Sequence, residues 1–490
     1  MDVLFFMRHP GHLRNFESTL RELARRGHRV HLAFDGEKEG LSGQRALAAS
    51  LDELEGITFG PAPAPAMAEE WTLVAWQLRA MLDYLRYLEP PLDRAVRPRL
   101  RAAHALPEPF LRALDAAGDA RDLVRRSLGA LERAVPPRRS LLRYVSERDP
   151  DLVAVTPLLD LGSPQLDYLR AAKRLGIPTC FCVASWDNLT NKGLLHERPD
   201  RMTVWNEDQR REAVELHGIP APSIAVTGAQ AYDHWFGRRP SRGRKQLLGA
   251  LGLPDAPYVL YVGSSPFLAP NEGASIGRWL GALREQVPSA GVLVRPHPLN
   301  PLPEADLNAL EALEGVAVFP RRGENPVDDR GRDDYFDSIF HASAVVGLNT
   351  SALIEAAIPG RPVFTTRPAS DGTVHFSYLL AENGGPATAA PTLREHARQV
   401  AAAVEGGKDS PALEFVRRFV RPYGLDEAAT PRLADALEEA ARTGAGRLRP
   451  VPLAATLARP LLALGGSVGI RIRRRNARRN MPDSQLSCLQ

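Results

Sequence analysis

The sequence predicts an α/β protein of two domains, each a parallel sheet flanked by helices, facing one another across a cleft. Three observations lead there. Apolar runs of strand length alternate with segments of helical periodicity in two separate stretches of the 490 residues. These runs break abruptly into Gly, Ser, Asn, Arg or His, the side chains suited to ligand crevices at the carboxyl ends of parallel strands. A block at about 69–146, purely helical in pattern, interrupts the first stretch and reads as an insertion.

The elements follow in order. Asp2 to Met7 is apolar enough for a buried strand, Arg8-His9-Pro10-Gly11-His12 is a turn, and Phe16, Leu20, Leu23 and Ala24 fall at helical spacing. Gly27 supplies the helix stop, and Val30, Leu32 and Phe34 alternate as the next strand of a βαβ unit. A Pro/Ala-rich linker at 61–68 leads into the helical block, where Trp71, Val74, Leu78, Met81, Leu82 and Leu85 share one face and prolines punctuate the rest. Alternation resumes with strands at Leu152 to Val155, Thr179 to Val183, Met202 to Trp205 and Ile224 to Val226, and helices near 165–175 and 207–217. The first domain is therefore placed at 1–236, and a polar, basic stretch at 237–247 separates it from a second at 248–443. There the strands are Tyr258 to Val262, Gly291 to Val294 and Ala344 to Val346, with later helices near 392–404, 411–419 and 431–442. A basic tail occupies 444–490.

Composition excludes several classes. Hydrophobic content of 44% and charged content of 24% are those of an ordinary globular protein. Residues 447–490 hold nine Arg and one acid, so the net charge of +4 belongs to the tail and the body is acidic. Nucleic-acid binding is accordingly not expected. Cys180, Cys182 and Cys488 make no disulfide framework and no metal-ligand pattern, which points to reduced thiols in the cytoplasm. The start lacks a basic region before its apolar run, unlike a signal peptide, and the Val451 to Ile470 tract, broken by Arg459-Pro460, is a poor span. An Arg-rich segment from Arg471 to Arg479 behind that Leu-rich tract matches an anionic membrane surface, giving a peripheral position at the inner face of the cell membrane; a solvated charged tail is the competing reading.

The breaks in the second domain suggest a phosphorylated ligand. Gly263-Ser264-Ser265 follows the first strand, and Arg295-Pro296-His297-Pro298 follows the second with a fixed cation and a titratable donor for a diphosphate. Asn349-Thr350-Ser351 opens a helix whose free N–H groups favour an anion, although such residues also cap helices without any ligand. Glu355, one turn later, suits the hydroxyls of a ribose. In the first domain, His9 and His12 lie in a strand-to-helix turn and have the pKa of a general base, against the plainer reading of turn stabilisation. Ser185-Trp186-Asp187-Asn188 offers an apolar ring face, a carboxylate and an amide to a sugar acceptor, or forms an Asx turn around a core Trp. HExxH, paired CxxC, GxGxxG and P-loop signatures are absent from the sequence, and a metal-independent mechanism without a cofactor is expected.

On these residues the chain resembles the GT-B superfamily of glycosyltransferases, in which two Rossmann-like domains flank the active site. The opening turn with Leu23 to Val30 is similar to the N-terminal βαβ of such enzymes. Arg295 to Pro298 and the run from Asn349 through Glu355 to Pro362 resemble the donor domain of bacterial capsule and wall-polymer transferases, and also of glycerophosphotransferases and sugar-nucleotide 2-epimerases. The resemblance implies a nucleotide-sugar donor bound by the second domain, and a saccharide or lipid-linked saccharide acceptor bound by the first. It implies a glycosyltransferase of surface polysaccharide or glycolipid synthesis. A 2-epimerase, a polyol-phosphate transferase and a non-catalytic binding module are the alternatives.

Overall fold

Two all-parallel sheets carry the chain. In the computed structural model the described residues are 1–35, 42–63, 70–366, 372–406 and 412–479; the end of the tail with Cys488 and most of the Pro/Ala-rich linker lie outside them. The first sheet comprises β1 (Asp2–Met7), β2 (Arg29–Phe34), β3 (Ile57–Pro61), β4 (Leu152–Thr156), β5 (Thr179–Cys182), β6 (Arg201–Val204) and β7 (Ile224–Val226). The second comprises β8 (Tyr258–Val262), β9 (Gly291–Arg295), β10 (Val316–Val318), β11 (Ala344–Gly347), β12 (Val363–Thr366) and β13 (Ala387–Ala390). Their orders are β3-β2-β1-β4-β5-β6-β7 and β10-β9-β8-β11-β12-β13. Strand order therefore reverses between β1 and β4 and again between β8 and β11, the switch points at which doubly wound sheets open a crevice.

The sequence forms these strands because helices cover both faces of each sheet, which favours continuous apolar runs over alternation. β4, β8 and β9 are buried along their whole length. On one face of the first sheet, helix Leu13–Arg25 buries Leu13, Phe16, Leu20 and Leu23, with Phe16 edge-on to Phe5 at 5.3 Å. On the other, Tyr168 of helix Leu166–Arg174 stacks on Phe6 at 3.8 Å.

The helical insertion forms as expected and is fastened by charge. Arg79 on helix Glu70–Arg86 is 1% exposed and donates to Glu132 at 2.8 Å and to Asp167 at 2.6 Å, while Arg170 donates to the second oxygen of Glu132 at 2.5 Å. Asp83 accepts from the backbone N–H groups of Gly162 and Leu194 at 2.8 and 2.7 Å, tying the insertion to the loops beyond β4 and β5.

One helix falls elsewhere than its sequence position suggests. Ala429–Arg442, read as the end of the second domain, packs on the first: Leu433, Leu437 and Ala440 join the core built on Phe5, Leu20 and Val30. The chain crosses back after Val420, whose carbonyl accepts from Ala229 N at 2.9 Å. The apolar face of this helix has the first sheet, not the second, as its partner. The tail also continues as a helix, Arg459–Arg479, laid against Glu70–Arg86.

Candidate active site

A cleft of about 620 Å³ lies between the domains and is lined from both. From the second domain come Gly263, Ser265, Arg295, His297, Asn349, Thr350, Ser351 and Glu355. From the first come Ser185, Trp186 and Asp187. Four residues singled out in the sequence, His9, His12, Asn188 and Ser264, are not part of its lining.

Gly263 ends β8 where β9 turns in closely. A Cβ there would stand 2.7 Å from His297 N and 3.1 Å from the Arg295 carbonyl, and Gly263 N itself donates to that carbonyl at 2.8 Å. The glycine lets the two strand ends meet, which brings Arg295 and His297 beside β8. Ser264 is fully buried, and its N–H points away from the cleft, donating at 2.9 Å to Glu272. Its expected part in holding phosphate is thus displaced by a carboxyl eight residues on. Burial pushes Glu272 up to about 7 despite hydrogen bonds from Ser264 N, Tyr261 and Asn300.

Arg295 is 7% exposed, and no carboxylate lies within ion-pair distance of its guanidinium among the described residues. It lies over the Tyr335 ring at 4.8 Å and reaches Ser338 Oγ at 3.5 Å; burial lowers its pKa to about 10. A buried cation with no carboxylate within ion-pair distance among the described residues, open to a cleft, is suited to accept an anion, with Asp334 and Glu355 acting on it only from farther away. His297 Nδ1 accepts from Leu299 N at 3.0 Å, so in the neutral ring the proton sits on Nε2. Burial, then Arg14, lowers its pKa and favours that neutral form.

The segment after β11 delivers the remaining second-domain groups of the cleft. Asn349 Nδ2 donates to Thr373 Oγ1 at 3.0 Å, and Thr350 Oγ1 accepts from Ala352 N at 3.4 Å. Ser351 takes the N-cap position of helix Ala352–Ala357 without a side-chain capping bond, and is exposed. Glu355 accepts a short hydrogen bond from the Tyr335 hydroxyl. Burial pushes its carboxyl up to about 7, although Tyr335, Arg14 and Arg295 all pull it down.

On the first-domain side the loop after β5 is a backbone turn, closed by Asn188 N donating to the Ser185 carbonyl at 3.2 Å, with Asp187 lining the cleft. Asp187 Oδ1 accepts from Ser185 Oγ at 2.6 Å and Oδ2 from Asn191 Nδ2 at 3.2 Å. Burial pushes Asp187 up, but His375, Lys192 and these two hydrogen bonds together outweigh it and hold the carboxyl at about 2. Asn188 is fully buried and braces the turn, its Oδ1 accepting from Ala184 N at 3.3 Å. Trp186 is 5% exposed and meets the His375 ring edge-on at 4.8 Å. His9 Nδ1 accepts from Gly11 N at 3.0 Å, and its ring lies 4.5 Å from that of His12. Burial, then His9, Lys192, Arg8 and Arg14, holds His12 well below 6.5 and keeps it neutral.

Sequence reasoning missed several lining residues. Arg14 projects from the first helix across the cleft, donating to Asn325 at 3.0 Å with no carboxylate within ion-pair distance among the described residues. Its signal was present, two positions after His12 in the same strand-to-helix turn. His375, between Asn349 and Trp186, lies beyond the last strand assigned from the sequence. Tyr232 and Trp235, on a 3-10 turn at Gln230–Trp235, extend the aromatic wall. Asp149-Pro150-Asp151 has the DxD spacing of metal-dependent transferases, yet it precedes β4 at the amino end of the sheet, where Asp151 accepts from Asp2 N at 2.7 Å.

Two doubly wound parallel domains with a shared cleft at their strand carboxyl ends define the GT-B fold. A Listeria monocytogenes protein described as a UDP-N-acetylglucosamine 2-epimerase matches over 91% of this chain and 98% of its own at 12% identity, with a TM-score of 0.54. The Neisseria meningitidis UDP-GlcNAc 2-epimerase bound to UDP-GlcNAc matches over 89% and 100% at 12% identity, TM-score 0.51. Anabaena HepE, in complex with UDP and glucose, matches over 90% and 100% at 12% identity, TM-score 0.50. No family model and no curated protein matches the chain.

Proposed function

We propose that this protein is a metal-independent glycosyltransferase of surface polysaccharide or glycolipid synthesis, moving a sugar from a nucleoside-diphosphate donor to a hydroxyl acceptor. The observation that carries this is the pair Arg14 and Arg295, one from each domain, facing the cleft with no carboxylate within ion-pair distance among the described residues. Together with His297 Nε2–H and the amides at Asn349 to Ser351 they supply what a leaving diphosphate needs. Glu355 is the ribose acceptor in this reading.

In the transfer, a base removes the acceptor hydroxyl proton, the oxygen bonds to the anomeric carbon, and the bond from that carbon to phosphate oxygen breaks. The nucleoside diphosphate leaves with the electron pair. Of the candidate bases, His12 is neutral but stands outside the cleft lining and serves only an acceptor that extends to it, while Asp187 lines the cleft, is held at about 2, and as a weak base suits orientation of hydroxyls. Trp186, Tyr232 and Trp235 line the cleft as buried members of the core and expose little ring surface to it, so the choice between transfer and 2-epimerisation rests on the products formed.

The test is thermal stabilisation by a panel of nucleoside diphosphates and nucleotide sugars, on wild type, Arg295→Met and Glu355→Ala. A native-state ligand raises Tm, and both variants should weaken it by about 100-fold in affinity or more. The stabilising nucleotide sugar is then incubated with and without acceptor saccharides. Transfer releases nucleoside diphosphate only with acceptor; a 2-epimer formed without release establishes epimerisation, and nucleoside monophosphate with phosphorus in the product establishes polyol-phosphate transfer. Stabilisation by none of the panel would leave the binding-module reading. Full turnover in His12→Ala would remove that residue from the mechanism.

A further inference from the structure

The end of the chain carries an apolar stripe that the fold leaves uncovered. Leu453, Leu457, Leu461, Leu464 and Val468 are 75%, 72%, 73%, 63% and 46% exposed. They follow one another at spacings of three and four along two successive helices, Leu453–Leu457 and Arg459–Arg479, so that the exposed residues of each helix lie on one face of it. The other ten large apolar side chains of comparable exposure are scattered between residues 96 and 423 among the described residues. Isolated exposed leucines are unremarkable, but a contiguous row marks a contact surface.

The opposite face is firmly seated. Leu462 packs with Val74, Leu78 and Val135 of the insertion, Gly469 lies against Leu73, and Arg459 Nε donates to the Ala134 carbonyl at 2.7 Å. The row is thus displayed on a rigid support. Directly after it the sequence places Arg471, Arg473, Arg474, Arg475, Arg478 and Arg479, and residues 440–482 contain no Asp or Glu.

We propose that this C-terminal helical face docks the protein on an anionic lipid surface, with the Leu row in the acyl boundary and the arginine run among acidic headgroups. Charge complementarity selects this occupant. A second copy of the same segment offers an apolar row but no counter-charge, whereas an anionic bilayer offers both. Among the described residues no helix is long and apolar enough to cross a membrane, so the segment lies on the surface. Docking stands independently of the transferase reading.

The experiment is co-sedimentation of the full chain with vesicles of phosphatidylcholine alone or with added phosphatidylglycerol. Wild type should pellet with the anionic vesicles and not with the zwitterionic ones. The triple variant Leu457→Ser, Leu461→Ser, Leu464→Ser should lose at least about 100-fold in partitioning, since each exposed leucine contributes roughly a tenfold factor when buried. Because all three side chains are exposed, the variant should keep its melting temperature, which checks the fold separately. As a second readout, Leu461→Trp should show a blue-shifted emission only with anionic vesicles. No pelleting of wild type, or equal pelleting of the triple variant, overturns the proposal. A wild-type dimer that the triple variant converts to monomer, without lipid binding, overturns it in favour of self-association.

Discussion

A carboxyl flanked by two arginines ordinarily titrates low, yet Glu355 is raised from 4.5 to about 7 because burial outweighs Tyr335, Arg14 and Arg295. The sign for stability follows. Between 4.5 and 7 the unfolded chain has released this proton while the folded chain retains it, so stability is lost as pH rises through that window. Glu355→Gln, isosteric with the protonated acid and still able to accept from Tyr335, should remove the loss. Its stabilisation relative to wild type should be near zero at pH 4 and on the order of 1–3 kcal/mol at pH 8, read by denaturant unfolding at the two pH values. An equal effect at both would refute the assigned burial. The sequence showed Glu355 and the strand-end groups because each follows an apolar run directly. It concealed the reversal at Ser264, since a motif read locally does not show Glu272 reaching back to claim its N–H. It concealed His375 as well, whose place depends on contacts with Trp186 and Asn349, far away in the chain.

At the scale of elements, the long buried strands and the short edge strand β7 were evident from composition, and three other edge strands were not. β3, β10 and β13 read Ile-Thr-Phe-Gly-Pro, Val-Ala-Val and Ala-Thr-Ala-Ala, too brief or too weakly apolar to stand out from loops, and their pairing with β2, β9 and β12 defines them. Helix Ala429–Arg442 was visible as a helix, but periodicity states only that a face is apolar, not which sheet it meets. The insertion shows the same separation: its helices were clear, while the ion network joining them is tertiary. Burial pushes Glu132 up, but Arg170 and Arg79 outweigh it and hold it at about 2. That carboxyl therefore contributes stability above its ordinary pKa, and the contribution is lost as pH falls from 4.5 towards 2. Arg79→Met should destabilise by about 3–5 kcal/mol at pH 7, because Glu132 and Asp167 lose a shared partner inside the protein. Urea unfolding checks the magnitude, and a change under about 1 kcal/mol would show that water reaches the network.

The whole molecule is a pair of domains joined on one side and clasped on the other. On the joined side Asp233 gathers the crossing chain, accepting from Ala429 N at 3.1 Å, from Thr430 N at 2.7 Å and from the Arg421 guanidinium at 2.9 Å. On the clasped side the helical insertion reaches the second domain: Arg101 lies over the Phe267 ring at 4.6 Å, Arg97 donates to the Phe267 carbonyl, and Arg97 N donates to the Gly372 carbonyl at 3.0 Å. Arg101 also donates to Asn191 Oδ1 at 3.0 Å, and Asn191 in turn holds Asp187, so the clasp connects with the first-domain side of the cleft. Phe267 lines that cleft. A cation–π contact is worth about 0.5–2 kcal/mol, so its removal should weaken the clasp by a comparable amount. Phe267→Ala combined with Arg101→Ala should raise the radius of gyration of the ligand-free protein in small-angle scattering, and a bound nucleotide sugar should bring it back towards the wild-type value. Asp233→Ala should act differently, lowering the unfolding temperature, because it frees the crossing segment on which both domains depend. If the double variant keeps the wild-type radius with and without nucleotide, the Arg101–Phe267 contact does not govern access to the cleft, and the clasp rests on the Arg97 hydrogen bonds or on the joined side.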